Sequence, residues 1–378
     1  MSHDVGIIGA GIHGISAAFH LAGRGASTVV FDKGNIAGGP TGRSGAICRA
    51  YYTSEFLAET ARDGIGFLAD FSDRTDGEQS GFRRTGAFYL HGPDDLEAAK
   101  ETAENVAGEL VEPGELQELD SWGVAVAVWE PGAGFADPYA TTLGLACAAR
   151  RRGAVIREGS PVIAIEEKPR SVSVTTADGD VHEVGTLLIA AGPWTRPLLG
   201  GIGVDLPLTV ERHVVALLEH DPADASGLVP YVLIDLPGGY YSTPQPRTQY
   251  LVGGVVPAEP ADPDGYDRAV SATEHQALAE TAARRVPARA RAAPAGGWAS
   301  LYDVSPDWQP VTGRVGENVF VDAGTSGHGF KLAPAWGEHV ARMLLDDDPD
   351  PRLAAFGPAR FQDGAGLPAG FGPARILG

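Results

Sequence analysis

A glycine-spaced turn near the start of the chain constrains the fold more than any other feature. The apolar run 5–8 leads directly into the turn 9–14, and a second apolar run, 28–31, ends at Asp32. In dinucleotide-binding domains an acidic residue about 20 positions beyond such a turn accepts hydrogen bonds from a ribose. The sequence therefore predicts a strand, turn and helix that bind a dinucleotide, with Asp32 at the ribose. The alternative is a glycine-rich turn in an ordinary α/β domain.

Each glycine of this turn has its own predicted role. Gly9 permits the tight turn, Gly11 lets backbone N–H groups approach a pyrophosphate, and Gly14 lets the helix pack on the strand. The helix N-terminus then presents unpaired N–H groups and a positive dipole end to the phosphates.

Length and charge limit the classes of protein and partner. A chain of 378 residues, 43% of them hydrophobic, exceeds a usual single core and predicts two domains. The formal net charge of -20 argues against nucleic acid or an anionic membrane as partner. An anionic substrate must then be held by local cations. A small-molecule substrate is expected, and the sequence does not decide between a monomer and a homo-oligomer.

Cysteine usage and hydropathy indicate a soluble cytoplasmic protein. Cys48 and Cys147 offer no disulfide framework. The first predicted strand begins near Asp4, which leaves no room for a signal peptide, and no apolar run reaches the roughly 20 residues of a membrane span. His13 and His20 share a helix face without a third ligand, so no metal site is expected.

Periodicity predicts alternating helices and strands, followed by a mostly antiparallel region. The predicted helices are 11–24, 55–71, a solvated pair within 94–120, 139–152, 273–285 and 334–345. The predicted strands include 87–90, 154–156, 162–165, 172–176, 186–191, 298–302 and 319–321, with antiparallel strands over 209–256. Residues 361–378 are expected to form a poorly ordered tail.

A second glycine-rich passage lies near the other end of the chain. A buried strand at 319–321 enters the loop 324–329, and a helix follows. Such a loop supplies free N–H groups suited to developing negative charge. Lys331 at this helix start is electrostatically adverse unless it meets an anion. A glycine-rich connector without function is the alternative.

Several motifs together resemble the D-amino-acid-oxidase-like flavoproteins, most closely their sarcosine-oxidase and glycine-oxidase branch. The motifs, in family order over about 4–345, are the glycine turn, Thr41-Gly42-Arg43-Ser44, Phe135-Ala136-Asp137-Pro138, Ala190-Ala191-Gly192-Pro193-Trp194 and Ser326-Gly327-His328-Gly329-Phe330-Lys331. The resemblance implies FAD, and an α/β plus α+β fold in which a mostly antiparallel substrate domain is inserted into a Rossmann-like FAD-binding domain. The expected boundaries are 1–80, 137–208 and 305–360 for the FAD domain, and 81–136 and 209–304 for the substrate domain.

The resemblance also implies the residues that contact FAD. Gly9, Gly11, Ile12, His13 and Gly14 would hold the diphosphate, and Asp32 and Lys33 would lie near the adenosine ribose. Thr41, Gly42, Arg43 and Ser44 would lie along the flavin edge, Val162 at the adenine, and Ala191, Gly192 and Trp194 near the cofactor. Gly327, His328, Gly329, Phe330 and Lys331 would face the flavin pyrimidine.

For the substrate, the resemblance implies a carboxylate held by Arg49 and Lys331. Tyr241 matches a tyrosine over the flavin face, and Tyr302 one near the carboxylate. An arginine and an ammonium can compensate a carboxylate removed from water. The alternative carboxylate arginine of the amino-acid-oxidase branch would fall near Ala299 or Ser300 and is missing.

The implied reaction is oxidation of a secondary-amine amino acid such as an N-substituted glycine. Hydride passes from the α-carbon to the flavin, the imine hydrolyses to an oxo acid and an amine, and oxygen reoxidises the flavin to give hydrogen peroxide. The alternatives are a dehydrogenase subunit that passes electrons to a partner and a non-catalytic flavin-binding protein.

Three departures from the family pattern qualify these expectations. Ser300 stands where monomeric sarcosine oxidases tether FAD through a cysteine, so FAD is expected to be non-covalent. Ala46 replaces a family arginine, and Leu251 falls near the position of the oxygen-activating lysine. The loss of the lysine suggests that another cation activates oxygen or that another electron acceptor is used. The losses of charge equally suggest room for an N-substituent larger than that of sarcosine.

Overall fold

Two large β-sheets, built from different parts of the chain, organise the structure. The computed structural model describes residues 3–221, 223, 227–346, 348–362, 364, 366–368 and 370–371. The strands are β1 (His3–Ile8), β2 (Thr28–Phe31), β3 (Ile47–Cys48), β4 (Ala87–His91), β5 (Glu109–Val111), β6 (Val126–Glu130), β7 (Gly134–Phe135), β8 (Val155–Arg157), β9 (Val162–Lys168), β10 (Ser171–Thr176), β11 (Val181–Ile189), β12 (Thr209–Glu219), β13 (Val232–Asp235), β14 (Tyr240–Pro244), β15 (Gln249–Gly254), β16 (Ala293–Val304), β17 (Val311–Arg314) and β18 (Val319–Ala323). The helices are α1 (Ile12–Gly23), α2 (Glu55–Ala69), α3 (Phe71–Arg74), α4 (Leu96–Asn105), α5 (Pro138–Arg151), α6 (Thr195–Gly200), α7 (Ala272–Arg285) and α8 (Gly329–Leu345).

The first sheet is parallel at its centre and draws on three separate stretches of chain. Its order is β17-β18-β11-β1-β2-β8, and β18, β11, β1, β2 and β8 pair in parallel. Leu187, Leu188 and Ile189 of β11 are fully buried, as expected for a central strand covered on both faces. Helices α1, α5 and α8 share one hydrophobic cluster with residues of this sheet.

The second sheet is mostly antiparallel. Its order is β16-β12-β15-β14-β13-β4-β6-β5, in which only the β13–β4 pair among the described strands is parallel. Its strands come from residues 87–130 and 209–304. The predicted fold class, a Rossmann-like domain with an inserted antiparallel sheet, is confirmed.

Two predicted helical regions differ in the structure. The prediction of two helices within 94–120 is wrong. Helix α4 is the one α-helix of this stretch, and β5 follows it at the edge of the second sheet. The helix ends at a turn in which Ala107 has a positive φ of 51°. The last helix begins at Gly329 rather than at Pro334, which lies inside it. In the described ranges, no helix is both long and apolar enough to cross a membrane.

Part of the predicted poorly ordered tail packs on the body of the protein. The Leu367 N–H donates to Asp307 at 2.9 Å, and the buried ring of Phe371 stacks on Tyr51 with centroids 5.5 Å apart. Burial of these apolar side chains orders the segment that composition alone predicts to be loose. Residues 363, 365, 369 and 372–378 of the predicted tail lie outside the described residues.

Candidate active site

A main cavity of about 660 Å³ lies at the carboxyl ends of the parallel strands. Its lining includes Ile8, Phe31 and Ala190, which end or follow β1, β2 and β11. Ligands of open parallel sheets bind in this position, because the loops that follow the strands converge there. The volume falls in the range of about 300–1,000 Å³ that is typical of small-molecule and cofactor sites.

The glycines of the first turn are required by close backbone contacts. A Cβ at Gly9, where φ is +113°, would lie 2.2 Å from the Ala190 carbonyl oxygen. A Cβ at Gly14 would lie 2.0 Å from the Gly9 carbonyl oxygen. Side chains at these positions would separate α1 from the sheet, and the turn would no longer border the cavity.

Two helix N-termini point at the main cavity. Helix α1 follows Gly11 and α8 follows His328, and neither N-terminus is capped by its N-cap side chain. Gly11 and Ile12 line the cavity from one helix, and Gly327 and Gly329 from the other. The Ile12 N–H of α1 donates to the Thr41 hydroxyl at 3.1 Å. The positive dipole ends of the two helices favour an anionic ligand between them.

Asp32, the predicted ribose ligand, lies at the main cavity just after β2. Its carboxylate accepts hydrogen bonds from the N–H groups of Ala10 and Gly34, both at 2.7 Å, and it lines the cavity. These bonds fix the carboxylate where β2 ends.

The main cavity brings together most of the predicted cofactor residues. Those that line it are Gly9, Gly11, Ile12, His13, Asp32, Lys33, Thr41, Ser44, Val162, Ala191, Gly192, Trp194, Gly327, Gly329 and Phe330. Ser300 also lines it, and no cysteine is among the described lining residues.

Four of the other five predicted cofactor residues lie behind this lining, and the fifth, Lys331, lines a second cavity. Gly14 and Gly42 sit against backbone carbonyl oxygens, and the Arg43 guanidinium donates to the carbonyls of Gly38 and Gly39, at 2.8 and 3.0 Å. The fully buried His328 ring stacks on Tyr52. These residues shape the loops around the cavity instead of facing it.

A second, smaller cavity of about 50 Å³ adjoins the main one. Arg49, Lys331, Tyr241 and Tyr302 line it, and these are the four predicted substrate residues. Ser44, Tyr302, Gly327 and Phe330 line both cavities, so the two meet at these residues. The remaining lining of the small cavity is largely apolar, including Ile47, Ile234 and Val255.

The two cations of the small cavity are buried. Arg49 is 3% exposed and Lys331 5% exposed. Arg49 donates to the Tyr51 carbonyl, and the Lys331 ammonium donates to the His328 carbonyl at 3.4 Å. Burial, and then the Arg49 guanidinium, lower the pKa of Lys331 well below its usual value. Because no acidic side chain is among the described lining residues, the cavity favours an anion.

Glu130 lies behind Arg49 and partly balances its charge. Its carboxylate accepts from the Tyr89 hydroxyl at 2.6 Å and from the Ala50 N–H at 2.8 Å. Burial raises the pKa of Glu130, and the nearby Arg49 charge opposes that rise.

Tyr241 and Tyr302 form the side of the small cavity that faces the second sheet. Their hydroxyls share a hydrogen bond, and burial raises the pKa of Tyr302 to about 12 and that of Tyr241 well above its usual value. Both phenols are therefore neutral at physiological pH. Gly253, opposite Tyr241 in the sheet, leaves room for that ring, because a Cβ there would lie 2.5 Å from it.

Several residues at the site carry no recognisable signal in the sequence. Asp264 and Arg268 line the main cavity from the segment between β15 and α7, and Asp264 accepts from Lys33 at 2.9 Å and from Trp194 at 2.8 Å. Asp303 and Asp322 also line it. Their positions depend on the packing of distant segments, and only Asp322, which precedes the second glycine-rich loop, could have been suspected.

The residues present fit a flavin dinucleotide. Glycine turns and two helix N-termini suit the diphosphate, Asp32 suits the ribose, and the main cavity continues to the smaller one. The flavin end would therefore lie beside Arg49 and Lys331, and the adenosine end beside Asp32 and Lys33.

Comparison with known proteins agrees with this geometry. The family model described as FAD dependent oxidoreductase matches residues 4–343. The chain is 29% identical over 248 residues to mitochondrial dimethylglycine dehydrogenase of Mus musculus, which covers 62% of this chain and 28% of that protein. It is 27% identical over 387 residues to the peroxisomal sarcosine oxidase of Homo sapiens, covering 95% of this chain and 96% of that protein. Among solved structures, L-proline dehydrogenase from P. horikoshii superposes with a TM-score of 0.87 at 25% identity, covering 97% of this chain and 99% of that chain. The chain spans less than half the length of several curated relatives it matches.

Proposed function

The chain belongs to the FAD-dependent oxidoreductase family, and on that premise we propose that it oxidises a small secondary-amine amino acid, such as an N-substituted glycine. The observation that carries this proposal is the pair of buried cations, Arg49 and Lys331, at the cavity next to the expected flavin end. A carboxylate is the group that such a pair would bind most strongly. The relatives named for sarcosine and dimethylglycine support the same substrate class.

The chain's own residues would bind and orient the substrate. FAD, when bound, supplies a two-electron acceptor for the C–H bond beside the amine. Arg49 and Lys331 would fix the carboxylate, and the neutral phenols of Tyr241 and Tyr302 would border the rest of the molecule. Two fixed cations also disfavour a protonated amine, so the amine would bind with its lone pair free. Positioning and electrostatics are then the protein's contribution.

The size of the small cavity favours a small substrate, part of which would extend into the main cavity where the two meet. A volume of about 50 Å³ holds roughly four water-sized groups, at about 10–15 Å³ each. Ile47, Ile234 and Val255 would contact the N-substituent. A bulky N-substituent, which the loss of charged residues suggests, would require these side chains to move.

A dehydrogenase that uses another electron acceptor is the second candidate. Leu251 is buried, and a Cβ at Gly45 would contact both Leu251 and Tyr241 at 3.5–3.7 Å, so an apolar side chain lies beside the tyrosine. A cation there would favour reduction of oxygen, because it stabilises developing superoxide charge. The relatives named as dehydrogenases support this candidate.

Anaerobic titration followed by mixing with oxygen tests both candidates. Sarcosine, N-ethylglycine, L-proline and glycine would each be added to the FAD-loaded protein, and flavin absorbance followed. We expect bleaching by the N-substituted glycines and a product oxo acid. Reoxidation by oxygen no faster than that of free flavin would favour the dehydrogenase. Bleaching by an alkylamine without a carboxylate, but by none of the four amino acids, would overturn the proposed substrate class.

A further inference from the structure

Three side chains on one face of α1 donate hydrogen bonds to backbone carbonyls of α8. His13 Nε2 lies 3.1 Å from the Gly329 oxygen, Ser16 Oγ lies 2.6 Å from that of Ala333, and His20 Nε2 lies 2.8 Å from that of Pro334. Positions 13, 16 and 20 follow the spacing of one helix face. The first bond alone involves the residue that starts α8 and borders the main cavity.

The two ring nitrogens of His13 both face acceptors. Nδ1 lies 2.8 Å from Asp322 Oδ2, and Nε2 faces the Gly329 carbonyl, which cannot donate. The other Asp322 oxygen accepts from the Trp336 indole N–H at 3.0 Å. Both oxygens of the carboxylate therefore accept hydrogen bonds, and the ring satisfies its partners only when it carries two protons.

His13 and Gly329 also fit each other sterically. A Cβ at Gly329 would lie 2.8 Å from His13 Nε2 and 3.0 Å from Thr325 Oγ1. The absence of a side chain at 329 lets the imidazole lie directly against the first residue of the helix. The hydrogen bond thus sets the distance between the N-termini of α1 and α8.

We propose that His13, held by Asp322, is a positioning residue that fixes the N-terminus of α8 against α1 for FAD binding. Both N-termini border the main cavity, so a change in their separation would misdirect the N–H groups that face the cofactor. Ser16 links the same two helices but does not line the cavity. If both contacts only held the helices together, substitution of His13 and of Ser16 would affect FAD affinity equally. If His13 positions the N-terminus of α8, only its substitution should weaken FAD binding.

Matched substitutions distinguish the roles of the two ring nitrogens. His13→Gln places an amide N–H where Nε2 lies, and His13→Asn places one where Nδ1 lies. FAD affinity is measured by titrating apoprotein and following flavin fluorescence, and the melting temperature of each apoprotein is recorded. We expect His13→Asn to weaken FAD binding about 10-fold or more, and His13→Gln to stay within about 3-fold of wild type. Ser16→Ala should lower the melting temperature without changing FAD affinity.

Asp322→Asn gives a second test that does not depend on the folding of His13→Asn. Asp322 and Asp303 are the described carboxylates whose charges act on the ring, so removing the first lets the imidazole lose a proton. We expect FAD affinity to fall several-fold at pH 8 and to recover toward pH 6. Wild-type affinity in both His13→Asn and Asp322→Asn would overturn the proposal, as would equal losses in His13→Asn and Ser16→Ala.

Discussion

Arg49 and Lys331 face one small cavity from opposite ends of the chain. They also share a neighbour, because the Arg49 Cζ lies 4.5 Å and the Lys331 Nζ 6.0 Å from the centroid of the Tyr52 ring. An aromatic face stabilises buried cations only in part. Glu130 balances part of this buried positive charge, and an anionic ligand in the cavity would balance the rest.

Removal of the guanidinium should weaken carboxylate binding. For Arg49→Gln we expect the Kd of a simple carboxylate such as propionate to rise about 10- to 100-fold, as for loss of a charge-assisted hydrogen bond. The measurement is perturbation of the bound flavin spectrum. Arg62→Gln is the control, since Arg62 donates to the Asn105 carbonyl on the surface. Unchanged binding in Arg49→Gln would contradict the proposed carboxylate site and favour a non-catalytic flavin protein.

The ammonium of Lys331 should make carboxylate binding pH-dependent. Burial and Arg49 lower its pKa well below 10.5, so the side chain loses its proton at a lower pH than an ordinary lysine. Because only the protonated form attracts an anion, affinity should fall as the pH rises through this lowered pKa. Lys331→Met should bind the carboxylate more weakly than wild type at low pH, and its affinity should not decrease as the pH rises. A Kd that rises identically with pH in both proteins would show that another group titrates.

The sequence predicts well the features that short motifs encode, and poorly the contacts between segments that are distant in the chain. The glycine turn, Asp32 and the second glycine-rich loop each carry a signal within a few residues, because tight turns and helix starts restrict residue type. The segment that contains Asp264 crosses from the second sheet to the main cavity, and no local pattern encodes that approach. The failure at 94–120 has a similar cause: charged residues suit a helix surface, but β5 forms because it pairs with β6.

FAD should be released intact when the protein is denatured. Ser300 lines the main cavity, whereas Cys48 is buried, donates to the Ala46 carbonyl and does not line it. Burial raises the pKa of the Cys48 thiol to about 12, so it is not the thiolate that flavin attachment requires. Acid precipitation should leave a colourless pellet and a yellow supernatant. Flavin fluorescence that stays with the protein band after denaturing electrophoresis would refute this prediction.

Contacts at the adenosine end should slow FAD dissociation modestly. Asp264 Oδ1 accepts from both Lys33 and Trp194, and Lys33 lies 3.8 Å from the Trp194 ring centroid. The Lys33–Asp264 ion pair is exposed, so we expect Asp264→Asn to speed FAD release by only about 2- to 5-fold, with less sensitivity to salt than in wild type. Stopped-flow transfer of FAD to a competing apoprotein measures the rate. An increase of several hundred-fold would indicate that the segment acts as a closed lid.

The stability of the apoprotein should depend on pH through His13. Burial lowers the pKa of this imidazole, but the Asp322 carboxylate outweighs that effect, and the net pKa is raised above 6.5. A group whose folded pKa is raised contributes its full stability below the unfolded value and loses it as the pH rises through the folded value. His13→Asn should therefore differ most from wild type in melting temperature near pH 6, and less at pH 9. A difference that grows with pH would mean that the folded protein binds His13 in its neutral form, and the two-proton arrangement between Asp322 and Gly329 would then be incorrect.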